Sequence, residues 1–429
     1  MFKTFKNAWK IADLRSKLLF TIVIVVLYRI GSVIPVPYVN SVALQQAFAQ
    51  ADGSVFEYFN MLSGQAFSQA TLFALSISPY ITASIVIQLL TIAIPALERL
   101  SKEGPEGRRK LTQITRYCTV GLALITAFGY YTFLNSSSLL VKDAGLFEAI
   151  VIIACYCAGA SIIMWLAEKI NDHGIGNGIS IILFANIVVS LPSSIIGAFK
   201  TAAASDNVLE FIFPVGVVAL LVAMIIFVVH VTNAERRLPV QYAKRQVGRR
   251  MYGGQNTYIP MKLNMSGVMP IIFASSIASI PATIDLMTGN SASGIWRSIL
   301  NVFDQKSPIY MVIYFLLIIA FSYFYLAISF NPIEVANNLK NNGGSVPGIR
   351  PGKPTVDYIT KILGRITLIG AIFLGIVAAL PLIVGIINSN YASLGFGGSS
   401  LLILVSVALE TTKEIEAQMT MRHYKGFLE

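Results

Sequence analysis

Long apolar runs separated by short polar or charged connections recur from one end of the chain to the other. A run of about 20 apolar residues crosses a bilayer as one helix. The pattern predicts spans at Leu18 to about Pro35, Ile77–Pro95, Tyr117–Leu134, Leu146–Ala167 and Ile179–Phe199. It continues with Phe211–Val231, Val268–Met287, Tyr310–Ser329, Ile362–Ile387 and a last span from about Ser399. The fold class expected is therefore an all-α polytopic membrane protein of about ten transmembrane helices.

One stretch, Val55–Pro95, breaks the pattern. Its first part, FEYFNMLSGQAFSQATLFAL, is moderately apolar but carries Asn60, Ser63, Gly64, Gln65, Ser68 and Gln69. That is too polar to face lipid and too apolar for an exposed loop. Irregular structure at membrane depth persists only when buried in protein or lining a wet cavity. The stretch predicts a short helix folded back into the membrane, a break near Ser78–Pro79, and then a true span. An ordinary amphipathic loop outside the membrane is the alternative this stretch alone leaves open.

Charge sets the orientation. Lys3, Lys6, Lys10, Arg15 and Lys17 surround Phe2, Phe5, Trp9 and Ile11, so residues 1–17 read as a basic amphipathic helix on a membrane surface. No small-residue cleavage site follows the first apolar run, which argues against a signal peptide. The predicted topology puts 26 of the 32 Lys and Arg residues on one side and four, Lys142, Lys200, Arg297 and Lys306, on the other. Arg29 and Arg365 lie in or at the edge of spans. The excess of positive charge places both termini in the cytoplasm and the polar segment before Pro79 outside. Arg29, inside the first span, needs a partner or water.

Composition narrows the chemistry. Of 429 residues 55% are hydrophobic and 12% charged, with a net charge of +11. Cys118, Cys155 and Cys157 fall inside apolar runs and read as small thiols in the packing; His173, His230 and His423 are scattered. No carboxylate pair, nucleophile–base pair or metal-ligand spacing stands out, so neither a catalytic residue nor a metal or cofactor is expected. GIGNGIS (Gly174–Ser180) lacks the GKS ending and preceding strand of a phosphate loop, and reads as a turn capping a span.

Two features remain. The loops holding Gly107–Arg109 and Ala243–Arg250 concentrate positive charge beyond what orientation requires. Anionic lipid accounts for them as well as an acidic or RNA-rich partner does, and Tyr242, Tyr252 and Tyr258 interleave with the basic residues. Within spans, Gln88, Asn186, Glu410, Thr82–Ser84 and Ser275–Ser276 would be costly facing lipid, although helix–helix hydrogen bonding can absorb them.

GIGNGIS, VPGIRPGKPT (Val346–Thr355), EGRRKLTQITRY (Glu106–Tyr117), YAKRQVGRR (Tyr242–Arg250), FNMLSGQAFSQA (Phe59–Ala70), MSGVMPIIFASS (Met265–Ser276) and MRHYKGF resemble motifs of the bacterial SecY family, and each falls at its expected place along the chain. That family supplies the channel subunit of the general protein translocase, and the resemblance covers essentially the whole chain. It implies two inverted five-helix halves, 18–200 and 201–412, around an hourglass pore, with a cytoplasmic tail at 413–429. It implies a plug at about 55–69, with Phe59, Asn60, Met61, Leu62, Ser63, Gly64, Gln65, Ala66 and Phe67 at its centre. The pore ring falls at Ile77, Ile81, Leu183, Ile272 and Ile403; Leu183 stands where isoleucine is common. Thr82, Gln88, Ser275 and Ser276 are expected near a lateral gate between spans two and three and spans seven and eight.

The same resemblance implies docking loops at about 232–264 and 331–361, where Arg245, Arg249, Arg250 and Arg350 meet the motor ATPase SecA or the ribosome. SecE and SecG are the implied companion subunits, and secretory polypeptides with signal sequences the cargo, in the bacterial plasma membrane. Without the resemblance, the broken second span also fits a secondary transporter with a midplane solute site. Apolar residues at the proposed pore positions weigh against it. A surface scaffold for ribosomes is a third reading, which leaves the plug-like segment without a purpose.

Overall fold

Proline punctuates this chain. Pro79, Pro95, Pro105, Pro270, Pro308 and Pro332 each sit in the first turn of a helix, where the missing N–H costs nothing. The computed structural model describes residues 2–50, 60–141, 145–204, 208–242, 245–247, 250–252, 256–265, 267–281, 284, 302, 307–387 and 397–425.

The helices are α1 (Phe2–Lys10), α2 (Ala12–Gly31), α3 (Ser41–Gln50), α4 (Ser78–Ala93), α5 (Pro95–Lys102), α6 (Pro105–Ser136) and α7 (Leu146–His173). They continue as α8 (Gly178–Ala204), α9 (Val208–Asn233), α10 (Met269–Ala278), α11 (Pro308–Ser329), α12 (Pro332–Asn341), α13 (Lys353–Ile387) and α14 (Gly397–Lys425). Among the described residues six helices are long and apolar enough for a complete span, or seven if α4 and α5, bent by 102°, count as one. The other expected spans fall short for visible reasons. Helix α2 opens on Asp13, Arg15 and Lys17, α14 turns charged in its second half, and much of the expected seventh span beyond α10 lies outside the described residues.

Several expected boundaries move. The surface helix ends at Lys10, not Lys17, because the chain turns at Ile11. The charged connection after the second span is not a loop: α5 and the first turns of α6 take it up, the latter carrying Arg108, Arg109 and Arg116 in one continuous helix. Glu98 and Lys102, four apart, pair at 2.6 Å on α5. Residues 413–425, expected as a tail, extend α14. GIGNGIS is the expected turn. Asn171 Oδ1 accepts from the Gly178 N–H at 2.7 Å, and Asn177 Oδ1 from Ile179 at 3.0 Å, capping α8.

The connections after α9 and after α12 also hold sheet, which the apolar pattern does not announce. Strand β1 (Glu235–Tyr242) pairs antiparallel with β4 (Asn256–Lys262), from Glu235 opposite Lys262 to Gln241 opposite Asn256. Between them a small hairpin joins β2 (Arg245–Val247) to β3 (Arg250–Tyr252). Strand β5 (Gly344–Ser345), from the connection between α12 and α13, adds to the free edge of β1. Leu238, Val240 and Met261 of the sheet pack on Leu339 of α12 and on Ile359 and Leu363 of α13. The two long connections thus form one unit with its own core.

In the membrane, α4 packs on α6 and α7, α10 on α11, and α11 on α13; α14 touches α8, α9 and α13. Helix α4 also touches α10. One large apolar cluster draws on α2, α4 and α7 through α11, with α13 and α14.

Candidate functional site

Ile77 caps the start of α4 and Ile81 follows one turn on; Leu183 is on α8, Ile272 on α10 and Ile403 on α14. All five are buried, at 7% exposure or less, and all belong to the large apolar cluster. Branched side chains from four helices thus belong to one cluster, none of the five carrying a polar side-chain atom.

Next to three of these residues stands a polar one. Ser76 precedes Ile77, Asn186 follows Leu183 by three positions and Ser400 precedes Ile403 by three. Three helical residues rise about 4.5 Å. Given the directions in which the helices run, all three polar groups fall on the same side of the apolar ones.

The re-entrant stretch sits against this polar tier. Asn60–Leu62 are helical, but 63–77 run as turns, so the half-helix expected to Gln69 stops early; Phe59 lies outside the described residues. Gly64 (φ 64°) and Gln65 (φ 72°) leave the helical region, and side chains replace the lost ladder. Ser63 Oγ accepts from the Phe67 N–H and Asn60 Oδ1 from the Ser68 N–H, each at 3.0 Å. Ala70 and Ser76 also hold positive φ, at 48° and 53°. Such geometry in a residue with a Cβ costs of order 1 kcal/mol and persists only where the surroundings enforce it.

Those surroundings are named groups. The Asn186 side-chain amide donates to the Leu62 carbonyl at 2.7 Å, and Ser76 Oγ donates to the same oxygen at 3.0 Å. Ser190, one turn along α8, donates to the Met61 carbonyl at 3.4 Å, and Gln65 Nε2 donates to Ser193 Oγ at 2.6 Å. Ser400 Oγ lies 3.4 Å from Met61 Sδ. The Tyr130 hydroxyl of α6 donates to the Phe67 carbonyl at 2.7 Å, the two rings 4.5 Å apart. After α2 the chain bridges back to the segment at Pro35 and Thr71. At Gly159 of α7 any Cβ would fall on the Leu72 carbonyl, so only glycine admits the segment there.

Arg29, the cation inside the first span, finds its partner here. Its Nη2 donates to the Ala185 carbonyl of α8, and among the described residues no carboxylate pairs with it. The guanidinium lies across Gly64: a Cβ on Gly64 would stand 2.8 Å from Arg29 Nη1 and 2.9 Å from Asn186 Oδ1.

The remaining expected residues fall elsewhere. Thr82 Oγ1 donates to Ser78 O at 3.1 Å and Ser275 Oγ to Ile272 O at 2.9 Å, each on its own helix; Gln88 and Ser276 are half-buried on α4 and α10. Helices α4 and α10 touch, but these four side chains form no network across the contact. Arg350 is exposed, its carbonyl fixed by Thr355 Oγ1 at 2.9 Å. Arg245 and Arg250 belong to the β2–β3 hairpin, and Arg249 lies outside the described residues. Of the tyrosines interleaved with the basic residues, Tyr258 has Arg237 over its ring at 4.7 Å, and Tyr242 packs into the core beneath the sheet. The Arg237 guanidinium is held above its usual range by the hydrogen bond to Glu235. Glu410, expected inside a span, is exposed.

Ser190, Ser193, Ser400 and Tyr130 were not singled out by the sequence. The signal was present in the spacing of Asn186, Ser190 and Ser193, which share one face of an otherwise apolar helix.

Comparison with known proteins gives the family and the fold. The SecY family model matches residues 71–412. The protein translocase subunit SecY of Streptomyces galbus is 45% identical over 441 residues, and that of Mycobacterium tuberculosis 41% over 452, each match covering all of both chains. A solved structure of a protein conducting channel superposes with a TM-score of 0.66 at 18% identity, covering 94% of this chain and 92% of the other. Sec61 in the canine ribosome–channel complex gives 0.65 at the same identity and coverage.

Proposed function

The chain belongs to the SecY family, whose members are channel subunits of the protein translocase, and from that premise we propose how its parts divide the work. Ile77, Ile81, Leu183, Ile272 and Ile403 form the constriction through which an unfolded chain threads. The observation that carries this is their common burial, from four helices, in one apolar cluster directly beside the polar tier. Branched apolar side chains yield to a passing polypeptide yet resist wetting when they close.

The segment from about Val55 to Gln69 is the plug, held outside the ring by Asn186, Ser190, Ser193 and Tyr130. Its positive φ angles make the closed position a loaded one. Halves 18–200 and 201–412 part along the α4–α10 contact, where Thr82, Gln88, Ser275 and Ser276 lie, so that a hydrophobic signal sequence partitions into lipid. Both termini face the cytoplasm of a bacterial plasma membrane, in keeping with the charge count.

SecA and the ribosome dock on the joined cytoplasmic unit through Arg245, Arg249, Arg250 and Arg350. Its support is the sheet that couples both connections, and Sec61 in the canine complex is likewise a ribosome-bound channel. SecE and SecG complete the complex, and anionic lipid meets the basic surface.

The test is a site-specific crosslinker at Ile81, in membranes, facing a stalled secretory chain. Crosslinks to successive residues of that chain are expected. Crosslinks confined to the cytoplasmic loops would overturn the ring assignment.

A further inference from the structure

Below the proposed ring, at the cytoplasmic ends of α9 and α10, a cavity of about 170 Å³ opens to the surface. Two lysines line it, Lys262 at the end of β4 and Lys413 on the cytoplasmic extension of α14. Ser406 and Thr232 line it as well. Ser406 is 95% buried, and the hydroxyls of both find no hydrogen-bond partner among the described residues. Asn264 shares the wall, and at Gly267 (φ 63°) the wall is bare backbone.

The lining sets two ammonium groups against a single carboxylate. The Lys413 ammonium is held below the usual lysine range, first by burial and then by the charge of Lys262. Glu416 and Glu235 act in the opposite sense without offsetting it, and Glu235 is engaged by Arg237 at 2.8 Å. Glu410 is the carboxylate lining the cavity; it is exposed, as Lys262 is, while Lys413 is half-buried, so the lining keeps one excess positive charge. Water would satisfy the two hydroxyls. Water does not relieve two ammonium groups facing one space, whereas an oxyanion accepts from hydroxyls and ammonium alike.

We propose that this cavity binds a phosphate-class anion, from a lipid headgroup or from inorganic phosphate, with Lys262 and Lys413 as charge partners and Ser406 and Thr232 as hydroxyl donors. The site is independent of the channel reading, though its place is suggestive. Val268 is one turn from Ile272, and Ser406 three residues from Ile403. A bound anion therefore ties α9, β4 and α14 together where the helices carrying two ring residues reach the cytoplasm.

The test is amine-reactive labelling of the full chain, read at individual lysines by mass spectrometry, with exposed Lys340 as the internal control. In nanodiscs of phosphatidylcholine, inorganic phosphate is titrated against chloride at matched ionic strength. A second set of nanodiscs contains phosphatidylglycerol and no added phosphate. Saturable protection of Lys413 and Lys262 by phosphate identifies a free-anion site; protection only in the phosphatidylglycerol discs identifies a headgroup site. Lys413→Gln weakens the protection of Lys262 about tenfold or more, the scale of one charge-assisted hydrogen bond. Labelling of Lys413 that tracks Lys340 in both arms overturns the proposal, and the wild-type chain alone decides that outcome.

Discussion

Asn186 of α8 donates its side-chain amide to the main-chain carbonyl of Leu62 at 2.7 Å, a hydrogen bond between a transmembrane helix and the re-entrant segment. Ser76 reaches the same carbonyl, so the segment keeps one bond when the other is lost. Asn186→Ala should weaken the closed position by about 0.5–1.5 kcal/mol, the net worth of one hydrogen bond, because Ser76 still satisfies the carbonyl. Ion leak across reconstituted bilayers should rise while the chain still inserts. Unchanged leak would show that the bond does not hold the segment shut.

Gly64 sits under the Arg29 guanidinium with φ at 64°, so alanine there meets both backbone strain and two displaced polar groups. Gly64→Ala should loosen the segment more than Asn186→Ala does. A cysteine introduced by Ser63→Cys, buried in the closed state, should then react faster with a water-soluble maleimide. Equal rates with and without the alanine would mean that the site relaxes around it.

Ile81 and Ile403 are buried without a polar atom in their side chains. Ile81→Asn or Ile403→Asn should let the constriction wet, and secretion of a substrate with a defective signal sequence should increase. A fall in thermal stability with no change in substrate selectivity would remove both residues from the ring.

Arg116 and Glu168 pair at 2.8 Å between α6 and α7, the arginine side chain 49% exposed and the glutamate 11%. Breaking the pair should therefore be asymmetric. Glu168→Ala leaves a hydrated cation and should cost about 1 kcal/mol or less. Arg116→Ala leaves a nearly buried carboxylate alone and should cost several times more, toward about 3 kcal/mol. Thermal unfolding in detergent reads both; equal costs would contradict the burial argument.

Arg350 is exposed on the turn before α13. Arg350→Glu should impair motor-driven secretion while leaving membrane insertion and thermal stability unchanged. Normal secretion would take Arg350 out of the docking surface.

How much of this the sequence disclosed follows from the range of the interactions. Spans and the break before Pro79 rest on local pattern, which survives without knowledge of contacts. The helical start of α6 was hidden because Arg108, Arg109 and Lys110 look like a loop to any measure of hydropathy, although Pro105 at the first turn marks a helix start. The sheet was hidden because β5 is two residues long and pairs with a strand about 100 positions earlier. Arg29 and Asn186 stood out as costly polar groups, but their convergence on Gly64 depends on three elements meeting. The five ring positions are ordinary isoleucines and leucine by composition, and only the family resemblance distinguished them.

The 102° bend between α4 and α5 has a consequence for the lipid. Helix α4 has 16 residues and rises about 24 Å, less than the roughly 30 Å of a hydrocarbon core. Arg99 and Lys102 on α5 suit the headgroup region, so the deficit falls at the other end of α4, which the turns of residues 63–77 adjoin. Hydrophobic mismatch is therefore built into the wall beside the α4–α10 contact. A thicker bilayer presses on that wall most strongly, which makes membrane thickness itself one of the forces acting on this channel.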